Sequence, residues 1–272
     1  MVQRVVVWVL ALTFLYQCLT YLLWMYEVRV HGGSRPAPSR LPYLTAWLAD
    51  WLALLFALVA SALGVFGRPR ADARPNGRPI VLLHGWCMTR GSMSLLAARL
   101  RRDGRSTFAV NYPSLLADMD RKAAHVAASL RAIAAETGAD SLDVLAHSQG
   151  GVIVRAAAKD HACLPLLGNV VTLGSPHQGT ALAALLGWRR LAAERPSSRY
   201  LTRLAEDDPV PTTVNFTSIY SHFDAVVFPS ELSYYAGAFN VAIDYVGHHS
   251  LLVSERVYQL AKENLDVDRR TP

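Results

Sequence analysis

At 272 residues the chain has room for one enzyme-sized domain and a small attachment, and its 52% apolar against 18% charged residues exceeds what one soluble domain needs. The net charge of +6 comes from scattered arginines without a basic helix or aromatic-basic stripe, which argues against nucleic-acid binding and for attraction to anionic lipid. Three cysteines, Cys18, Cys87 and Cys163, exclude a disulfide framework and a CxxC metal site.

The apolar excess lies before Arg68. Residues 5–26 are 22 positions without a charge, long enough to cross a hydrocarbon core of ~30 Å as a helix. A second apolar run covers residues 41–67, broken only by Asp50, and its last 17 residues are near the lower limit for a span. Between them Gly32, Gly33, Pro36 and Pro38 form a turn, so residues 1–67 read as a membrane anchor, a transmembrane helical hairpin. Trp24, Tyr26, Tyr43, Trp47 and Trp51 cluster around that turn, as an interfacial belt would place them. Two alternatives stand beside this reading. One is a cleaved signal peptide, although no small-x-small site follows the first run. The other lays the Asp50 helix in the interface or against the catalytic domain, because a charge inside a span is costly. Arg4, Arg68, Arg70, Arg74 and Arg78 on one side, against Arg29, Arg35 and Arg40 in the turn, lean towards a cytoplasmic catalytic domain at a bacterial inner membrane.

Residues 68–78 form an Arg/Pro/Gly linker, and residues 79–272 read as an α/β domain. Short β-rich runs at 80–84, 107–111, 142–146, 170–173, 214–220 and 239–244 alternate with helical patterns at 92–102, 116–137, 150–161 and 250–263. Several runs are apolar on both faces, which predicts a buried, mostly parallel, doubly wound sheet. Gly138 is placed to end the second of these helices. Residues 178–210 are the one long insertion, with room for one or two helices but not for a lid domain, so an open site is expected.

Residues 142–151, LDVLAHSQGG, carry an apolar strand into Ala146-His147-Ser148-Gln149-Gly150 and then a helix. This is a nucleophile elbow: small residues flank Ser148 at both second neighbours because the chain reverses sharply there, and Ala146 stands where a glycine is usual. A serine needs a base, and the partners follow in the order acid, then histidine. Asp224 lies just past a β-rich run, and His248 follows Gly247 just before a helix. His249 is the rival base and Asp244 the rival acid, the latter lying in the strand that leads to the histidine loop. The His84-Gly85-Trp86 turn follows the first buried strand, so the backbone N–H groups of Trp86 and Gln149 are the candidate oxyanion hole. His84, His147 and His177 sit inside turn motifs and read as structural.

With HGW at 84–86, AHSQGG at 146–151, GSPHQGT at 174–180, TSIYSHFDAVV at 217–227 and VGHHSLL at 246–252, the chain resembles the bacterial lipase and esterase branch of the α/β-hydrolase superfamily. The likeness is to small lidless triacylglycerol lipases and covers about residues 79–264. It implies Ser148, Asp224 and His248 as the triad, carboxylic-ester hydrolysis through an acyl-enzyme, and no metal or organic cofactor. It does not cover the apolar hairpin, which points to lipid-derived esters as substrate and the membrane as partner. Trp86, Met88, Leu185 and Trp188 could line an acyl site or simply pack. A thioesterase, phospholipase or acyltransferase could use the same residues, and a membrane scaffold that kept only the fold is the reading from another class.

Overall fold

A computed structural model describes residues 2–31, 40–64, 77–113, 115, 118–206 and 213–267. The turn of the hairpin and all but the end of the predicted linker lie outside the described residues.

Helices α1 (Val2–His31) and α2 (Arg40–Gly64) come first. Six strands follow: β1 (Ile80–Leu83), β2 (Thr107–Val110), β3 (Leu142–His147), β4 (Leu167–Leu173), β5 (Asn215–Ser221) and β6 (Phe239–Ile243). They form one wholly parallel sheet in the order β2-β1-β3-β4-β5-β6. Ile80 and Leu82 enter one apolar core and Val81 and Leu83 the other, as the period of two along a strand requires. Helices α3 (Ser94–Arg102) and α8 (Glu255–Leu265) pack into the first core, and α4 (Met119–Thr137) and α5 (Gln149–Ala157) into the second. Burial on both faces explains why the strand runs lack polar alternation.

Register places the site. Leu83 is level with Ala146, His147 with Leu173, and Leu173 with Ile219, so β1, β3, β4 and β5 end on one rim. The direction of winding reverses between β1 and β3, and the crevice at such a switch point is where open α/β sheets bind ligands.

Some boundaries move for local reasons. The predicted helix at 92–102 begins as a 3-10 turn, Arg90–Met93, in which Thr89 Oγ1 accepts from Gly91 N and Asn111 Oδ1 from Arg90 N. The predicted helix at 250–263 is a 3-10 turn, Ser250–Leu252, then a break at which Ser254 caps α8. Asp118 caps α4 through Arg121 N, three residues into the predicted helix, and Gly138 closes it in the left-handed conformation. Residues 178–206 form α6 (Ala181–Leu186), a 3-10 turn Arg189–Glu194, and α7 (Arg199–Glu206), short pieces rather than a lid.

The hairpin does not stand apart from the domain. Gln17, Thr20, Tyr21 and Trp24, spaced for one helical face, are the buried side of α1, while Val5 to Leu12 are exposed throughout. In α2 the buried face is Ala46, Asp50, Ala53, Leu54, Ala57 and Ala60, whereas Leu44, Leu48, Leu52, Val59 and Leu63 face outward. Of the sequence alternatives, packing of the Asp50 helix on the catalytic domain is the one the structure adopts. The end of α2 touches the Arg90–Met93 turn backbone to backbone: a Cβ on Gly91 would stand 1.8 Å from Ala60 O. Thr89 Oγ1 donates to Ser61 O at 2.7 Å and Arg90 Nε to Gly64 O at 3.0 Å. Arg78, at the end of the predicted linker, is bound to buried Asp143 at 2.7 Å.

Candidate active site

Ser148 sits between the last residue of β3 and the first of α5, with φ 55° and ψ −128°. A left-handed φ is costly for a residue with a Cβ, on the order of 1–3 kcal/mol, and is held here by the surrounding packing. Ser148 N donates to Leu173 O at 2.9 Å, which ties the turn to the neighbouring strand. The small residues after the serine have a measurable reason. A Cβ on Gly150 would lie 2.8 Å from His84 O, and one on Gly151 would lie 2.2 Å from Ser175 Oγ. Ala146 is fully buried within β3, where its methyl fits the second core.

Asp224 and His248 are brought together from loops after β5 and β6. His248 Nδ1 lies 2.7 Å from Asp224 Oδ2, and both side chains are buried. Asp224 Oδ1 accepts from Val226 N at 2.8 Å and Val227 N at 2.7 Å, so the carboxylate is fixed by its own loop. With Nδ1 donating to the carboxylate, Nε2 carries the lone pair. Burial pulls the His248 imidazole down, but Asp224, then Asp50 and Glu194, more than offset it, and its pKa is raised above 6.5.

The other histidines take supporting places. His147 Nε2 donates to His248 O at 3.1 Å, and the two rings lie 4.8 Å apart, so the residue before the serine holds the backbone of the histidine loop. Burial, then the neighbouring His248, keeps His147 well below its ordinary pKa and hence neutral. His84 donates through Nδ1 to Gly85 O at 2.9 Å, stacks on Tyr112 at 4.1 Å, and is lowered by burial to about 4. His177 stacks on Tyr235, and Thr172 Oγ1 lies 3.0 Å from its Nε2. His249 turns towards the hairpin, with Nδ1 3.7 Å from Asp50 Oδ2. Asp244 is exposed.

Gln149 opens α5, so its N–H has no acceptor within the helix. The Trp86 turn is closed by Met88 N donating to Gly85 O at 3.3 Å, and a Cβ on Gly85 would be 3.0 Å from Ser148 Cβ. The two backbone segments expected to bear oxyanion donors are therefore adjacent to the serine. Trp86 lies 5.9 Å from Trp188, ring to ring, and Trp188 and Leu185 are exposed at this side of the insertion, while Met88 is packed beneath α2 against Ser61.

Two features escaped the sequence. Gln149 is held at both ends of its side chain: Lys122 Nζ donates to its Oε1 at 2.9 Å, and its Nε2 donates to Glu194 Oε1. Burial pushes the Glu194 carboxyl up and the Lys122 amine down. No spacing links positions 122, 149 and 194, so only the fold could assemble them. Ser148 is 8% exposed and His248 3%, a more enclosed site than the short insertion suggests. The second feature is Asp50, visible in the sequence only as a charge in an apolar run.

A family model described as a domain of unknown function, DUF7379, matches residues 64–193. Among solved structures, the chain is similar to the mature form of the Bacillus licheniformis lipase BlEst2, with 17% identity and a TM-score of 0.64 over 74% of this chain and 100% of that one. It is similar to Aspergillus fumigatus lipase B, with 19% identity and a TM-score of 0.63 over 73% of this chain and 56% of that one. Against the Bacillus subtilis carboxylesterase CesB the identity is 13% and the TM-score 0.52, over 83% of this chain and 98% of that one. Together with the parallel sheet, the strained serine at the end of β3 and the acid and histidine loops on the same rim, these likenesses establish that the chain has the α/β-hydrolase fold.

Proposed function

We propose that the protein is a membrane-anchored serine hydrolase that cleaves carboxylic esters through an acyl-enzyme. The observation that carries this reading is the 2.7 Å contact between Asp224 Oδ2 and His248 Nδ1 on the rim where the turn at Ser148 is strained. Lipases and a carboxylesterase among the similar structures support the choice of ester chemistry.

In this reading His248 Nε2 takes the Ser148 Oγ proton as the oxygen attacks the ester carbonyl. Charge that develops on the carbonyl oxygen meets the N–H groups of Trp86 and Gln149, which need no reorganisation because turn and helix hold them. The imidazolium, stabilised by Asp224, then protonates the departing alcohol. Water repeats the sequence on the acyl-enzyme and frees the acid, so protons and leaving groups balance over the cycle.

The exposed apolar half of α1 and the outer stripe of α2 seat the enzyme in the membrane. The exposed Trp188 and Leu185 offer an acyl chain apolar surface beside the Trp86 turn. Labelling of the detergent-solubilised protein with a fluorophosphonate tests the chemistry: wild type reacts, and Ser148→Ala and His248→Ala do not. A folded wild type that stays unlabelled would remove the hydrolase reading. A panel of ester, thioester and phospholipid substrates then fixes which acyl bond is cleaved.

A further inference from the structure

Asp50 is 2% exposed in the middle of an apolar helix, where an unpaired carboxylate is too costly to keep. Its partners show why it is kept. Oδ1 accepts from the backbone N–H groups of His249 and Ser250, each at 2.8 Å. Oδ2 accepts from Gln17 Nε2 at 3.0 Å, and the Tyr21 hydroxyl lies 3.3 Å away. The two amides belong to the residues immediately after His248, at the entry to the 3-10 turn Ser250–Leu252. Asp50 thus caps the base-bearing loop from another element, nearly 200 residues away in the chain.

The fit is close from the loop side as well. A Cβ on Gly247 would stand 2.2 Å from Asp50 Cγ and 2.5 Å from Tyr21 Oη, so the loop and the hairpin leave no room for a methyl group. Helix α1 grips the acid-bearing loop in parallel. Trp24 Nε1 donates to His222 O at 3.2 Å, and the Phe223 ring packs 5.0 Å from both Tyr21 and Trp24. The residues on either side of the His248–Asp224 contact therefore rest on side chains of the hairpin.

We propose that the apolar hairpin is a structural part of the active site, with Asp50 a positioning residue that sets the His248 loop against Asp224 and Ser148. This rests on the hydrolase reading for its catalytic consequence, but not for the geometry. Anchor and catalytic machinery then form one unit: a hairpin displaced from the domain releases the base and acid loops together.

The test compares wild type, Asp50→Ala and Asp50→Asn as full chains in detergent. The alanine leaves two buried amides unpaired, whereas the carboxamide oxygen of asparagine still accepts from both. D50A is expected to lower kcat on a soluble short-chain ester about 10²-fold with KM within about twofold, the cost of a displacement on the order of 1 Å. D50N is expected to recover most of that loss. Amide hydrogen exchange in residues 246–254 reads the clamp without activity: D50A should speed exchange there and leave the sheet unchanged. Folded D50A with wild-type kcat, or unchanged exchange in that segment, overturns the proposal. Should wild type prove unreactive towards fluorophosphonate, the hydrolase reading fails while the exchange experiment still judges the clamp. If D50A does not fold, Gly247→Ala presses on the same contact from the loop side and must show the same selective fall in kcat and local gain in exchange.

Discussion

Replacing Asp224 by asparagine isolates the contribution of one oxygen. The asparagine Oδ1 can still accept from the amides of Val226 and Val227, so the loop keeps its shape. Where Oδ2 lay 2.7 Å from His248 Nδ1, an NH2 group now stands, and two donors face each other. The imidazole must move its proton to Nε2 to relieve that, which removes the lone pair that accepts the Ser148 proton. The imidazolium formed during attack also loses its counter-charge. At an effective dielectric constant of about 20 and about 4 Å between charge centres, that attraction is worth about 4 kcal/mol. A wrong tautomer in a triad of this kind costs about 10⁴ in kcat, or roughly 5.5 kcal/mol, consistent with the Coulomb figure plus the lost hydrogen bond. The assay is steady-state hydrolysis of a short-chain p-nitrophenyl ester in detergent, alongside the rate of fluorophosphonate labelling and a circular dichroism check of folding. A folded D224N enzyme within about tenfold of wild-type kcat would refute the role assigned to Asp224.

The acid limb of kcat/KM should lie above pH 6.5, because His248 is raised and must be neutral to act as base; a limb below that value contradicts the assignment. By linkage, the same raised value contributes stability fully present below pH 6.5 and lost as pH rises through the folded pKa, which thermal melts across that range can follow. Gly151→Ala should destabilise by about 1–3 kcal/mol through its collision with Ser175, and Ser175→Gly in the same chain should restore part of the loss in a denaturation experiment. Trp188→Ala should raise KM for a decanoate ester about tenfold while sparing the acetate ester, since each buried methylene is worth about 0.8 kcal/mol; equal effects on both would place Trp188 outside the acyl site. Alkaline carbonate should leave the protein in the membrane pellet, and its release would remove the anchor reading.

Local rules made the elbow, the buried parallel strands and the hairpin legible in the sequence. The helical patterns, the strand runs apolar on both faces, the flanking small residues at Ser148 and the cap at Gly138 are all short-range signals. The order serine, aspartate, histidine narrowed the partners to Asp224 or Asp244 and His248 or His249, but neighbouring candidates share the same local pattern. Only the register of β3, β4, β5 and β6, and the direction in which each loop leaves the rim, brings Asp224 to His248 while leaving Asp244 exposed and turning His249 to the hairpin. The Lys122, Gln149 and Glu194 chain was beyond reach for the same reason, since hydrogen bonds between distant segments leave no periodic trace. Asp50 marks the boundary most clearly. Its charge in an apolar run announced a cost, and tertiary structure decided what offsets it: two backbone amides that become available only when the His248 loop folds against α2.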